Sequence, residues 1–541
     1  MPVEESSQFD FAVEELIDRE LEESPRWASL LGRDGFDHRL DDLSAAAFER
    51  RADADREWLD RFAGFEPARL APEEAIDRAL IAARLGERVS IADWQGWRRS
   101  PEDYLETGTT ELFLLRMHSE DELTDAAVDR LRGIGGVLDE AVENLDPSLA
   151  STLIVERGIA QCDASVTFAR TEVSALAESP ANRARLAEAG EGAALAYERF
   201  AGFLRELAPQ CTGSFVFGEE RYNAVLQQGE LLDLDVRDLR RRGEAELEAL
   251  TGQLAAAALA LDGSHPWRET LRRLQRETAP SIEQMRADYE DCCLEARQFL
   301  VDHGLVTIPP DEHCHVVPAP AALRAILAVA SYLSPPMFKP SRDGFFFVPY
   351  PVDENDREEV DGLLESNAPY SVPTTAAHET YPGHHWHLMT MKEARPIRRL
   401  FTSTYFVEGW ALYAEAMMRQ AGFFTPEQEL GHLEARLLRA ARIVVDTSLH
   451  LGEMEAEDAV SFMREHALLP LPTARSEVAR YCAWPTQASA YLTGALAIEQ
   501  ARDRWVAAGG TLTGFHDSLA RSGALPVPLA VRAIGLPPTE R

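Results

Sequence analysis

Residues 378–387 read HETYPGHHWH and hold four of the 14 histidines of the chain. The helical zinc motif HExxH places two imidazoles one turn apart on one face, with a glutamate beside the first to activate water. Here His378-Glu379 is not followed by a histidine at position 382, so the standard motif fails. The next histidines are His384 and His385. The stretch therefore indicates a metal site that needs a distorted helix.

An undistorted helix would bring neither later histidine next to His378. The residue six positions on is rotated by about 120°, and the residue seven positions on lies about 10.5 Å along the axis. Pro382 removes a backbone donor and Gly383 permits unusual dihedral angles, so we expect a bulge or kink there. This predicts His384 as the second metal ligand beside His378, with His385 in reserve. The alternative is an exposed histidine-rich helix without a metal.

A third ligand is expected from the next predicted helix, which contains YFVEGWALYAEAMM at 405–418. A catalytic zinc site takes three protein ligands and keeps a fourth position open for water. Glu408 and Glu415 are seven positions apart and therefore share a helix face. Glu408 lies 30 positions after His378, a separation that resembles the arrangement in gluzincin peptidases. This resemblance implies Glu408 as the third ligand and Glu415 as the residue that orients a ligand imidazole. A solvated, salt-bridged helix face is the alternative.

Composition opposes several other classes of function. The 541 residues are 45% hydrophobic and 27% charged, as in a globular protein. A net charge of −37 opposes binding to nucleic acid or to an anionic membrane. The first residues do not read as a secretory signal, and no stretch reaches the roughly 18 to 20 apolar residues of a membrane span. Six scattered cysteines without a CxxC pair predict a reduced, cytoplasmic protein.

The remaining sequence predicts a mainly α protein, because apolar residues recur at three- and four-residue spacing. The predicted helices are 122–145, 181–207, 228–262, 280–303, 320–333, 405–421, 426–450, 475–482 and 487–507. The predicted strands are 214–217, 315–317 and 345–348, and the predicted loops are 208–224 and 349–374. We expect a helical N-terminal region over 1–210 and a catalytic region over 211–541, or one continuous helical domain.

These residues resemble the family named domain of unknown function 885. Its HExxPGHH signature matches 378–385, and its EGWALYAE segment stands unchanged at 408–415. Further matching segments are RAARIVVDTSLHLG at 439–452, RYCAWPTQASAYLTG at 480–494 and GEERYNAVL at 218–226. The resemblance covers roughly residues 210–510. The chain departs from it at Trp-Pro-Thr-Gln, where Pro-Gly-Gln is expected, and at His387, where a glutamine is more usual.

The resemblance implies a large multi-helix, zincin-like metallopeptidase architecture of the gluzincin type, with a small β-sheet beside the active-site helix. The chain is also similar to the thimet-oligopeptidase pattern, which favours His384 over His385. Together these likenesses imply zinc held by His378, His384 and Glu408. The metal then lowers the pKa of a bound water, and Glu379 accepts its proton.

Further site residues are expected in the C-terminal segments. Attack of water on an amide carbonyl generates an oxyanion that needs a second donor. Tyr491 is the candidate, one helical turn after Gln487, with Tyr481, His450 and Arg442 behind it. A core position with a satisfied hydroxyl is the alternative for Tyr491.

Strand 345–348 is predicted to be an edge strand that pairs with an extended peptide. The predicted substrate contacts are Phe346 and Phe347 of this strand, together with Tyr481. The leading hypothesis is a zinc-dependent hydrolase of short peptides, either an oligopeptidase or a carboxypeptidase. The alternatives are a metallohydrolase or lyase acting on a small amide or natural-product intermediate, and a non-enzymatic helical binding protein. The oligomeric state, monomer or homodimer, stays open.

Overall fold

The computed structural model describes residues 2–105, 123–263, 266–320, 324 and 330–537. The protein is mainly helical and contains a small three-stranded sheet, as the sequence predicted. In chain order, the helices before the sheet are α1 (Pro2–Glu23), α2 (Pro25–Leu30), α3 (Ala45–Ala63), α4 (Pro72–Ile91), α5 (Glu102–Leu105), α6 (Leu123–Asn144), α7 (Thr152–Thr167), α8 (Pro180–Leu207), α9 (Glu219–Ala224), α10 (Val236–Asp262), α11 (Trp267–Arg276) and α12 (Ile282–His303).

The second half contains the sheet and the helices that follow it. The strands are β1 (His313–Pro318), β2 (Ser331–Leu333) and β3 (Asp343–Val348). The helices after the sheet are α13 (Arg357–Ser366), α14 (Val372–Glu379), α15 (His384–Met391), α16 (Pro396–Leu400), α17 (Thr404–Gln420), α18 (Pro426–His450), α19 (Ala456–His466), α20 (Leu471–Ala483), α21 (Gln487–Ala507), α22 (Leu512–Arg521) and α23 (Val527–Ala533).

Most of the predicted helices are confirmed, since the ranges 181–207, 426–450 and 487–507 match α8, α18 and α21 closely. Local capping explains the agreement at α18. Thr425 forms a capping box with Gln428, and Pro426 occupies the first helical turn.

Both predicted loops contain helices, so the predictions of irregular structure at 208–224 and 349–374 are confirmed only in part, as at 211–218 and 349–356. The first contains α9, and the second contains α13 and the start of α14. Helix α13 follows Asp356, whose carboxylate accepts two backbone N–H groups of its first turn. Leu364 is the buried residue of α13. Val360 and Leu363 are partly buried against the same core, so the apolar stripe spans little more than one turn and is too short for sequence periodicity to be recognised.

Two other predictions fail because tertiary contacts decide the local structure. Residues 331–333, the end of the helix predicted over 320–333, form β2, while 321–323 and 325–329 lie outside the described residues. Residues 214–217 form no strand. The N–H of Phe217 in that segment donates to His450 Nδ1 instead of to a neighbouring strand.

The sheet has the order β1-β3-β2, with β1 parallel and β2 antiparallel to β3. The strand predicted to be an edge is therefore the central one, and both of its edges are paired. Phe346 and Phe347 are 0% and 2% exposed, packed in the core. The predicted pairing of a peptide with this strand, and substrate contact through these two phenylalanines, are wrong.

Three hydrophobic cores organise the described residues. One combines residues before and after position 210, from Phe9 to Leu536. A second lies wholly before that position, from Leu43 to Ala208. The third lies beside the sheet, from Ala279 to Ala376. Buried Asp77 of α4 accepts a hydrogen bond from Arg398 Nε of α16 at 2.5 Å and so ties the N-terminal helices to the helices near the site. The division of the chain at residue 210 stays a prediction.

Helices α17 and α21 approach closely through two glycines. A Cβ on Gly494 would lie 1.7 Å from the carbonyl oxygen of Tyr405, and one on Gly409 would lie 2.6 Å from the backbone of Gly494. Neither position has room for a side chain. This contact brings Tyr491 of α21 to the helix that carries Glu408.

We expect Gly494→Ala to lower the free energy of unfolding by about 1–3 kcal/mol, because the added methyl group forces the two backbones apart. The control is Gly252→Ala on the exposed side of α10, where a Cβ meets nothing within 4 Å. That change should raise stability by about 0.5–1 kcal/mol, since alanine favours the helix. Urea unfolding of both variants checks the prediction, and equal stability of the two would contradict it.

Candidate metal centre

The helix that begins the histidine stretch is interrupted between Glu379, where α14 ends, and His384, where α15 begins. A Cβ on Gly383 would lie 1.8 Å from the carbonyl oxygen of His378, so glycine is needed for this close approach. The carbonyl oxygen of Pro382 accepts a hydrogen bond from Trp410 Nε1 at 2.9 Å, which ties the break to α17. The rings of His378 and His384 consequently lie 4.9 Å apart.

His378, His384 and Glu408 each offer one ligand atom, and these atoms lie within 4.8 Å of one another. Glu408 Oε2 is 3.7 Å from His378 Nε2 and 3.5 Å from His384 Nε2. Ligand atoms bound at about 2.0–2.2 Å around a tetrahedral zinc ion lie about 3.3–3.6 Å apart. Two imidazole nitrogens and a carboxylate therefore suit zinc in both chemistry and spacing.

Glu415 holds the ring of His378 from the side opposite Glu408. His378 Nδ1 lies 2.7 Å from Glu415 Oε1, and Glu415 is fully buried. The second carboxylate oxygen of Glu415 is 3.4 Å from His432 Nδ1. A proton on Nδ1 of His378 leaves its Nε2 free to bind a metal. Sequence reasoning missed His432, which belongs to none of the family-like segments.

His378, Glu408 and Glu415 shift one another's pKa values. Burial lowers the pKa of His378, but its hydrogen bonds with Glu408 and Glu415 outweigh burial and raise it to about 9. Burial raises the pKa of Glu415, whereas hydrogen bonds with His378 and His432 lower it to about 2. Burial also raises the pKa of Glu408, yet the histidines beside it hold the value well below its ordinary range. Two carboxylates thus face the charge of one imidazolium, a balance that favours a bound cation.

Glu379 lies beside this cluster and is half-buried. Burial raises its pKa, against the opposing charges of His378 and His384. A carboxylate with a raised pKa is a better proton acceptor than an exposed one at neutral pH.

His385 points away from the cluster, and both of its ring nitrogens are engaged. Its Nε2 donates to Glu312 at 2.6 Å, and its Nδ1 accepts from the hydroxyl of Tyr332 at 2.8 Å. Glu312 also accepts hydrogen bonds from Tyr381 and Arg297. His385 therefore belongs to a separate buried network beneath the sheet and lies outside the ligand group.

Two of the predicted C-terminal site residues are core residues. His450 is 0% exposed, its Nε2 donates to the carbonyl oxygen of Tyr481 at 3.0 Å, and its Nδ1 accepts from Phe217. Tyr481 is also 0% exposed, and its hydroxyl accepts from Arg442 Nε at 3.1 Å and donates to Glu477 at 2.5 Å. Neighbouring residues occupy the polar atoms of both side chains. In this arrangement His450 cannot serve as a catalytic donor, and Tyr481 cannot contact a substrate.

Tyr491 is the C-terminal candidate on the side of Glu408. It is half-buried, and its hydroxyl accepts a hydrogen bond from Gln487 Nε2 at 3.3 Å. The Arg442 guanidinium lies 4.9 Å from the centre of its ring. Burial raises the pKa of Tyr491, and the negative charge of Glu408 raises it further. Its hydroxyl therefore stays protonated and is able to donate a hydrogen bond.

His387 is buried among aromatic side chains behind the ligands. Its ring lies 5.2 Å from Phe406 and 5.6 Å from Trp410. Neither ring nitrogen has a hydrogen-bond partner within the part of the chain that the structure describes. Burial lowers the pKa of His387 to about 3.

We expect His387→Phe to raise the free energy of unfolding by about 1–2 kcal/mol at pH 8, because it removes an unpaired polar ring from an apolar site. Below the usual histidine pKa of 6.5, the unfolded wild-type chain binds a proton that the folded chain does not take up until about pH 3. Wild-type stability is therefore lost as pH falls, and the advantage of the variant should grow by about 2 kcal/mol between pH 6.5 and pH 5. Denaturant unfolding of both proteins at pH 8, 6.5 and 5 tests this. Equal changes of the free energy of unfolding with pH in the two proteins would contradict it.

The family model of bacterial proteins of unknown function, DUF885, matches residues 25–534. The chain belongs to the DUF885 family. The family part of the resemblance drawn from the histidine stretch is thereby confirmed. The family match does not relate this DUF885 protein to gluzincins or to thimet oligopeptidase. The similarity to those peptidases therefore stays a prediction. No curated protein matches the chain at a significant level.

Two solved structures share the fold of this DUF885 protein. One is a candidate lipoprotein of unknown function from Shewanella oneidensis, with a TM-score of 0.77 and 21% identity over 97% of this chain and 99% of that chain. The other is a candidate lipoprotein from Colwellia psychrerythraea, with a TM-score of 0.76 and 19% identity over 98% of each chain.

The prediction of a cytoplasmic location is contradicted by these neighbours, since both are described as candidate lipoproteins. The cysteine content had favoured the cytoplasm. It is a weak indicator here, because a protein with a large core does not need disulfides in any compartment. Among the helices of the described ranges, none combines the length and hydrophobicity that crossing a lipid bilayer requires.

Proposed function

We propose that this DUF885 protein is a zinc-dependent hydrolase of zincin-like architecture that cleaves amide bonds of short peptides. The observation that carries the proposal is the convergence of His378, His384 and Glu408, whose ligand atoms lie within 4.8 Å of one another. Glu408 lies 3.7 and 3.5 Å from the two imidazole nitrogens, close to the spacing around a tetrahedral ion. Removing two histidines and a carboxylate from water together is costly without a cation, because the charges must be desolvated.

The residues around the ligands support hydrolysis rather than a structural metal. Zinc at this position would supply Lewis acidity, polarising a carbonyl oxygen and making water more acidic. Glu379 accepts the proton of the attacking water as the C–O bond forms, and then delivers it to the departing amine as the C–N bond breaks. Glu415 keeps His378 in its metal-binding tautomer. Tyr491 is proposed to donate a hydrogen bond to the oxyanion.

The proposal is tested by metal content and peptide cleavage of the purified full-length protein. We expect about one zinc per chain by elemental analysis and cleavage of a mixed short-peptide library. A chelator should abolish cleavage, and added zinc should restore it. Stoichiometric zinc without cleavage of any peptide would contradict the peptidase proposal, and absence of zinc after reconstitution would contradict the metal site.

A further inference from the structure

Helix α18 carries three arginines at three-residue intervals, and the middle one differs from its neighbours. Arg436 forms an ion pair with Glu499 at 2.9 Å, and Arg442 forms one with Glu477 at 2.7 Å. Within the described ranges, Arg439 has no carboxylate at ion-pair distance. Its Nη1 donates to the carbonyl oxygen of Ala435 in its own helix at 3.2 Å, and its buried Nε has no partner there.

Arg439 lies at the wall of the candidate metal centre. Its guanidinium carbon is 5.9 Å from the centre of the Tyr491 ring. One face of α18 carries both Arg439 and His432, and His432 contacts the carboxylate that holds His378. A partly desolvated guanidinium beside the reacting centre is therefore available for an anion from outside the chain.

The chemistry of the site narrows this anion to a carboxylate. A guanidinium fork matches the two oxygens of a carboxylate, and removing both from water strengthens the pair. One arginine balances one negative charge, whereas Glu379, Glu408 and Glu415 nearby would repel a doubly charged phosphate. Peptides carry such a carboxylate at the C terminus or on Asp and Glu side chains. The C-terminal carboxylate is present in every peptide with an unmodified C terminus and lies within one residue of the last amide bond.

We propose that Arg439 binds the free C-terminal carboxylate of a peptide substrate and so directs hydrolysis to the C-terminal amide bond. This inference rests on the proposed function and makes it more specific, since it favours carboxypeptidase action over internal cleavage. Arg439 fixes the distance between the C terminus and the reacting carbonyl, which limits the bonds that can reach Glu379.

The test measures binding of three peptides to the zinc-loaded Glu379→Gln protein by calorimetry, so that turnover does not interfere. The peptides are acetyl-trialanine with a free C terminus, the same peptide as its C-terminal amide, and an amide with glutamate as its last residue. We expect the free acid to bind about 30-fold or more tightly than either amide. Adding Arg439→Gln should reduce this preference to about twofold or less, and Arg439→Lys should retain part of it.

Arg475→Gln is the control, because the Arg475 side chain is 60% exposed on α20, and it should leave the preference unchanged. Thermal unfolding identifies any variant that fails to fold, and Arg439→Lys then carries the comparison. Equal binding of the acid and the alanine amide, or a preference that survives Arg439→Gln, would overturn the inference. Equal binding of the acid and the glutamate amide would overturn its assignment to the C terminus.

Failure of this inference is distinguishable from failure of the proposed function. Wild-type protein that cleaves the acid and its amide at equal rates remains a peptidase but lacks the Arg439 subsite. Protein that binds the acid through Arg439 but cleaves no peptide has the subsite without the proposed activity.

Discussion

Replacing Glu379 with Gln is expected to lower kcat for peptide hydrolysis by about 10²–10⁴-fold, the usual contribution of a general base. Glutamine preserves the size of the side chain but cannot accept the proton of the attacking water. The zinc content should stay at the wild-type level, because His378, His384 and Glu408 keep their positions. The measurement is steady-state hydrolysis of a short peptide together with elemental analysis of the same samples.

The control for this prediction is Glu457→Gln, an identical chemical change at a side chain that is 80% exposed on α19. It should leave kcat within about twofold of the wild-type value, as expected for a surface substitution away from the site. Glu379 would not be the base if Glu379→Gln retained wild-type kcat with zinc bound. Loss of zinc from the same variant would instead indicate that Glu379 supports the metal.

Substitution of the two adjacent histidines is expected to give opposite results. His384→Ala removes a proposed ligand and should abolish stoichiometric zinc binding, with little effect on folding of the metal-free protein. His385→Ala should retain zinc but lower the free energy of unfolding by about 3–5 kcal/mol, because it leaves Glu312 buried without one of its charge-assisted hydrogen bonds.

Elemental analysis and denaturant unfolding of both variants measure these outcomes, with unfolding compared in the presence of a chelator. The chelator makes the stability comparison independent of the metal. Loss of zinc in His385→Ala with zinc retained in His384→Ala would reverse the proposed ligand assignment.

The sequence by itself determined the helical class and the components of the candidate site. The three- and four-residue spacing located α8, α18 and α21, because a helix buries one face along its whole length. Pro382 and Gly383 indicated a break, since proline and glycine act on the backbone at their own positions. Glu408 and Glu415 were recognised as a pair from their spacing alone. All of these signals are local.

Contacts between residues far apart in the chain decided the rest. Gly383 packs against the carbonyl oxygen of His378 and Trp410 binds that of Pro382, so the chain leaves the break with His384 facing Glu408. Its neighbour His385 then turns to Glu312. The sequence favoured His384 but kept His385 in reserve, because the direction of the chain after the break depends on packing against α17.

The same physical reason explains the corrected predictions and the residues that sequence reasoning missed. Residues 331–333, where helical periodicity predicted a helix end, form β2. Because β2 pairs with β3 on the side opposite β1, β3 is the central strand. The sequence offered His450 and Tyr481 as polar site residues. In the fold, both are buried and their polar atoms form hydrogen bonds with neighbouring residues. Arg439 is one of several arginines on α18, and only the arrangement of its neighbours distinguishes it. Local periodicity thus located several of the long helices, whereas long-range packing decided which side chains meet at the candidate metal centre.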